Sequence, residues 1–337
     1  MKNKMVLYIG NDLSKHTSYV TAMDVLSDAL ENQNFDIIKS SDELSKIKRF
    51  YKMIQCVWKF RKITDFVLID VFSTSYFYLV YVISILCRLY KLKYITILHG
   101  GDLPTRINKF KHLSNQVFSN SYANIAPSFY LKNAFEEHGY ATIFIPNVLN
   151  IYRYPYLERK HPNPKILWVR AFRELYNPRM AIEVLHNVKK KYPNATICMV
   201  GPEKDNSILK VKKMVAKYEL EDSVEYTGVM KNSEWIKKSV EFDIFINTTN
   251  FDNTPVSVME AMALGLYVVS TNAGGMPFLI EHSKDGLLVE KNDVIAMTNY
   301  INEIIERPPV SMTYSARQKA ESFSSENVMK KWNEILK

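Results

Sequence analysis

The chain's 337 residues suggest two domains of ordinary size. Apolar residues make up 47% and charged residues 23%, which excludes a disordered or fibrous chain and predicts a sizeable packed core. Lys and Arg outnumber Asp and Glu by 44 to 35, and this net charge of +9 favours anionic partners such as nucleotide-sugars, lipid headgroups or nucleic acid.

Residues 5–9 read as a first strand, because the segment lacks the apolar run and cleavage site of a signal peptide. Gly10, Asn11 and Asp12 follow it. One glycine there makes a plain turn, not a G-x-G-x-x-G fingerprint, which argues against dinucleotide oxidoreduction. A helix is expected near 17–31. Residues 46–62 are basic and aromatic at helical spacing. Such a segment suits either an anionic membrane surface or a surface helix packed on the first sheet. Residues 66–70 read as a strand. The apolar run 71–87 holds Ser73, Thr74, Ser75 and Ser84 and falls short of the roughly 20 residues of a membrane span. A buried crossover helix near 74–90 fits better. Strands follow at 94–98, near 124–126 and at 143–145, with a helix between the last two that ends near His138.

Tyr, Arg, Pro and Lys cluster at 149–163, which reads as an interdomain linker. A second strand series occupies 165–169, 196–200, 224–228, 244–247 and 267–271, and a helix near 326–336 closes the chain. Strands alternating with helices predict βαβ units and parallel sheets. The expected fold is therefore α/β: two doubly wound Rossmann-like domains facing across a cleft. In such sheets ligands bind beyond the carboxyl ends of the strands. The three cysteines show neither metal spacing nor an even disulfide set, which fits a reducing cytoplasm.

The most informative stretch is 251–265. Thr254 is a suitable N-cap, Pro255 suits the first helical position and Gly265 suits the helix end. Such a helix start offers unpaired N–H groups and a partial positive charge to an anion such as a diphosphate. Asp252 before it and Glu260 within it can accept hydrogen bonds from sugar hydroxyls. His99 ends an apolar strand and enters the turn Gly100-Gly101-Asp102, where α/β enzymes expose polar groups.

The Asp252-x7-Glu260 segment resembles the acidic-x7-acidic motif of the family-4 retaining glycosyltransferases, although the first acid of that family is normally Glu. The strand 267–271, the loop Ala273-Gly274-Gly275-Met276-Pro277 and the stretch Asp285-Gly286-Leu287-Leu288-Val289 are similar to its usual continuation. The resemblance implies the GT-B fold: an acceptor-side domain at 1–148, a linker at 149–163, a nucleotide-sugar domain at 164–322 and a terminal helix at 323–337 that crosses back to the first domain. It also implies site roles. Arg170 binds the donor diphosphate, Asp252 the transferred sugar and Glu260 the ribose, while His99 contacts the sugar or acceptor. Asn253, Thr254, Pro255 and Val256 cradle the phosphates, and the Gly10 loop approaches them. Gly201, Gly228 and Val229 lie in loops that hold the base. The family's Lys after Arg170 is missing, with Asn177 near its expected position. Arg173 or Arg179 is expected to replace it, with Arg173 preferred.

No Asp-x-Asp triplet occurs, so no metal is expected and no cofactor beyond the donor itself. The implied activity is retaining transfer of a sugar from a nucleoside diphosphate to a growing, lipid-linked cell-surface glycan. It would take place in the cytoplasm, with a peripheral contact to the membrane through 46–62, and domain closure would exclude water. Two alternatives remain: a non-catalytic glycan-associated subunit, and a nucleotide-sugar epimerase of the same fold. Nucleic acid is not expected as a partner, because the basic residues are dispersed and no recognised motif appears.

Overall fold

The computed structural model describes residues 3–10, 21–40, 43 and 45–337. Asn11, Asp12 and the beginning of the helix expected from 17 lie outside the described residues. The chain divides into two compact units, 1–148 with 323–337, and 149–322.

The first unit carries β1 (Lys4–Ile9), α1 (Ala22–Glu31), β2 (Phe35–Lys39), α2 (Lys46–Phe60), β3 (Phe66–Val71), α3 (Tyr76–Leu89), β4 (Lys93–Leu98), α4 (Leu103–Lys109), α5 (Lys111–Phe118), β5 (Ala123–Ala126), α6 (Phe129–Glu137) and β6 (Thr142–Phe144). Its sheet is parallel, in the order β2-β1-β3-β4-β5-β6. Successive residues of a strand point to opposite faces, so a strand covered on both sides must be apolar throughout. Residues 66–71 are buried at every position and apolar at all but one, Asp70. One apolar layer joins Leu7, Ile9, Val67 and Ile69 to Phe77, Val80 and Ile83 of α3. The opposite layer joins Val6, Tyr8 and Leu68 to Met23 and Leu30 of α1.

The second unit carries β7 (Lys165–Val169), α7 (Pro178–Lys189), β8 (Thr196–Val200), α8 (Ser207–Lys217), β9 (Val224–Gly228), α9 (Asn232–Lys238), β10 (Ile244–Asn247), α10 (Val256–Ala263), β11 (Tyr267–Thr271), α11 (Met276–Leu279), β12 (Leu287–Val289), α12 (Val294–Glu306) and α13 (Val310–Glu321). Its parallel sheet runs β12-β11-β10-β7-β8-β9. Ile166, Trp168, Ile246 and Val269 share one core with Met180, Leu185 and Ile301 from the helices. The last helix, α14 (Ser325–Ile335), belongs to the first unit, where Val328, Met329 and Trp332 complete the layer around Tyr8.

Residues 149–163 are not a free linker but part of the second unit. Arg159 is 4% exposed and donates to the carbonyls of Phe242 (2.9 Å) and Leu264 (2.8 Å). Buried main-chain acceptors need donors, and this guanidinium supplies several at once. The apolar run after β3 forms the 14-residue α3, and no helix of the described residues is long and apolar enough to cross a membrane.

Candidate functional site

Chain order reverses once in each sheet, between β1 and β3 and between β7 and β10. Flanking loops diverge at such a switch point and leave a crevice at the carboxyl ends of the strands. Most of the side chains expected to act gather at these two places.

In the second unit Arg170 leaves the end of β7, and Asp252 lies in the loop after β10. They form an ion pair through Arg170 Nη2 and Asp252 Oδ2. The guanidinium also stacks on Tyr176, with its centre 4.4 Å from the ring centroid. Cation–π contact of this kind holds a planar cation in one orientation. Arg170 Nε is buried with no partner among the described residues. A buried donor without an acceptor is costly, and an anionic ligand oxygen would satisfy it.

The Asp252 loop is fixed from below. The Gly275 amide donates to the Asp252 carbonyl at 2.8 Å. A Cβ on Gly275 would lie 1.7 Å from the Asn253 carbonyl oxygen, so only glycine allows this approach. The Gly-Gly loop that follows β11 is thus the floor under the acidic loop. The helix cap differs from the expected one. Pro255 is the N-cap and Val256 the first helical residue, while Thr254 caps nothing. With Asp252 and Asn253 pinned by Gly275, Pro255 stays extended (ψ 120°), and its carbonyl accepts the first turn's amides from Val258 and Met259. The amides of Val256 and Ser257 make no hydrogen bond among the described residues, and Ser257 Oγ is buried without a partner. These are the open donors of a helix start, one residue later than the sequence suggests. At the other end Gly265 and Leu266 close a Schellman motif onto Met262 and Ala261.

Glu260 is 7% exposed on the same helix. Its Oε1 accepts from Tyr154 Oη (2.6 Å) and Asn232 Nδ2 (2.8 Å). Burial raises its pKa to about 7 despite these two bonds, which favour the ionised form. Oε2 accepts no hydrogen bond among the described residues, so one oxygen is held and the other is available.

Gly201 follows β8, and a Cβ there would lie 1.9 Å from the Arg170 carbonyl oxygen. Its amide donates to the Gly228 carbonyl at 2.8 Å, which ties the loops of β8 and β9 together beside Arg170. Val229 is exposed just beyond. Arg173 is exposed and its charge acts on Asp205, while Arg179 pairs loosely with Glu174 at 3.7 Å. No described contact brings either cation to Arg170. Asn177, near the expected Lys position, is buried and donates to Asn292 Oδ1 at 2.8 Å, a structural amide that starts α7.

In the first unit Gly10 ends β1 against Asp70, which lies within β3. Asp70 is 3% exposed, and its Oδ1 meets both Tyr8 Oη (3.0 Å) and His99 Nε2 (3.1 Å). His99 also stacks on Phe72, with ring centroids 5.7 Å apart. The carboxylate and the aromatic ring fix the imidazole from two sides. Sequence reasoning found His99 and missed Asp70, Tyr154, Asn232 and Tyr176. An acid closing the apolar run 66–69 was a readable signal for Asp70, whereas nothing local marked the other three.

Two doubly wound units with this site define the GT-B architecture of glycosyltransferases. HepE from Anabaena, solved in complex with UDP and glucose, superposes with a TM-score of 0.79 over 99% of both chains at 17% identity. Residues 156–322 match the family model described as glycosyl transferases group 1. It is similar to an uncharacterized glycosyltransferase of Haemophilus influenzae, with 27% identity over 46% of this chain and 44% of the relative. It is also similar to the amylovoran biosynthesis glycosyltransferase AmsK of Erwinia amylovora, with 34% identity over 35% of this chain and 31% of the relative. The match thus spans less than half the length of either relative.

Proposed function

We propose that the protein is a retaining glycosyltransferase that moves a sugar from a nucleoside diphosphate to a hydroxyl of a growing, lipid-linked cell-surface glycan. The observation that carries this reading is Arg170, with its orphaned Nε, paired with Asp252 in the loop that leads into the open amides of α10. Cation and amides together suit a departing diphosphate, whose developing charge they stabilise without reorganising. In the proposed step the bond from the anomeric carbon to the phosphate oxygen breaks while the acceptor oxygen attacks from the same face. The acceptor's proton passes to the leaving phosphate. Asp252 orients the sugar, and Glu260 Oε2 accepts from the ribose. Relatives named for colanic acid and amylovoran biosynthesis support a polysaccharide product.

A thermal-shift screen of UDP, GDP and their sugars tests donor binding. One nucleotide series is expected to raise the melting temperature, and no shift with any member would overturn the reading. The responding donor is then incubated without acceptor. Slow hydrolysis to sugar and nucleoside diphosphate is expected, whereas conversion to an epimerised donor would favour the epimerase. Arg170 and the helix start supply the neutralising charge, so excess EDTA is expected to leave the rate unchanged. Loss restored by manganese would refute metal independence.

The peripheral membrane contact is part of the same proposal. Met53 and Val57 of α2 are fully buried, while Ile47, Tyr51 and Trp58 are 71%, 67% and 54% exposed on another face. Lys48, Lys52, Lys59 and Lys62 are exposed beside them, and Lys52 also pairs with Glu43. Aromatic and aliphatic side chains flanked by lysines suit an anionic lipid surface. Co-sedimentation with anionic vesicles is expected to exceed that with neutral ones, and to drop when Ile47, Tyr51 and Trp58 are changed to Ser. Equal binding to both vesicle types would remove the idea.

A further inference from the structure

We infer that Tyr154 is a positioning residue for donor binding: its hydroxyl fixes Glu260 Oε1 and leaves Oε2 to the donor. The inference rests on the reading of Glu260 as the donor's ribose acceptor. Tyr154 is 5% exposed and lies in the stretch 149–163, six residues after the boundary between the units. Its hydroxyl donates to Glu260 Oε1 at 2.6 Å across 106 positions of sequence. Asn232, from the start of α9, donates to the same oxygen at 2.8 Å.

Two donors on one oxygen lock the carboxylate's rotation and stabilise its charged form. The groups around it are few. Arg153 neighbours Tyr154 and acts on the phenol. Arg317, from α13, spends its Nη1 on the carbonyls of Tyr154 and Ala263. No cation pairs with Glu260 among the described residues, so neutral donors alone support its charge. Tyr154 itself titrates well above its usual range, through burial and the adjacent carboxylate, and stays a donor at working pH. A protonated Glu260 would give up part of its acceptor capacity, so donor affinity is expected to fall as pH drops through about 7.

The test is the donor KM of the full chain between pH 5.5 and 9.5, for wild type, Tyr154→Phe, Asn232→Ala and Glu260→Gln. Removing the phenol hydroxyl raises the carboxyl's pKa further. A rise of about one unit takes KM at pH 7 up about fivefold and lets it converge on wild type by pH 9, with kcat little changed. Asn232→Ala is expected to move the midpoint the same way, and Glu260→Gln to abolish the pH dependence. A general loss of folding would raise KM at all pH values alike. If Glu260→Gln is flat but Tyr154→Phe keeps the wild-type midpoint, the inference falls while the ribose reading stands. If Glu260→Gln keeps the wild-type profile, the reading of Glu260 itself falls.

Discussion

Arg170→Ala is expected to lower sugar transfer by about 10²–10³-fold, the usual loss when one preorganised donor to a developing oxyanion is removed. The guanidinium is fixed before any ligand arrives, by the carboxylate of Asp252 and the ring of Tyr176. Preorganisation of this kind makes a charge effective in the transition state, because nothing has to turn when the phosphate departs. The variant also leaves the Asp252 carboxylate, 12% exposed, without its partner, so some stability goes with the activity. Arg170→Lys separates the two effects. A lysine restores charge but neither the planar fork nor the stacking, so it is expected to recover folding more fully than turnover. Single-turnover rates with saturating donor, set beside melting temperatures, make the comparison. Transfer by Arg170→Ala within twofold of wild type would contradict the assignment.

Glu260→Gln is expected to move stability and donor binding in opposite directions. Donor KM at pH 8 rises about tenfold or more, because a hydrogen bond to a charged acceptor is worth roughly 1.5–3 kcal/mol. Stability is expected to rise. The folded-state pKa of Glu260 lies near 7 and the ordinary value at 4.5. A raised folded pKa means that the folded state holds its proton longer than the unfolded one, so the associated stability is complete below pH 4.5 and is lost as pH climbs through 7. A shift of this size corresponds to about 3 kcal/mol of stability withheld at pH 8, which the neutral glutamine does not lose. Thermal melts at pH 4.5 and pH 8 check the sign: the variant's advantage should appear only at the higher pH. A carboxylate kept at a cost to stability fits a role in binding rather than in folding.

The strands of both sheets could largely be read from the chain, because a strand covered on both faces must be apolar throughout. The apolar runs 66–69, 166–169 and 267–269 show this. The strand Phe35–Lys39 escaped notice because it lies at a sheet edge, half exposed, with Asp36 and Lys39 breaking the apolar run. The acidic loop and α10 were legible because their determinants lie within fifteen residues, and only the helix start moved, by one position. The partners of Glu260 were not legible. Tyr154 and Asn232 come from 106 and 28 positions away, and each is an ordinary side chain where it stands in the sequence. The tight packing of 149–163 was hidden for a similar reason: Arg159 reads as a surface charge until the carbonyls of Phe242 and Leu264 are brought to it.

The roles assigned to Arg170 and the start of α10 depend on where the donor's diphosphate binds. A crystal structure of the full chain with the nucleoside diphosphate that gives the largest thermal shift decides it. The phosphates are expected within hydrogen-bond distance of the Val256 and Ser257 amides and of the Arg170 guanidinium, with a ribose hydroxyl on Glu260 Oε2. Phosphates bound elsewhere, with the Arg170–Asp252 pair and the start of α10 left untouched, would contradict the account.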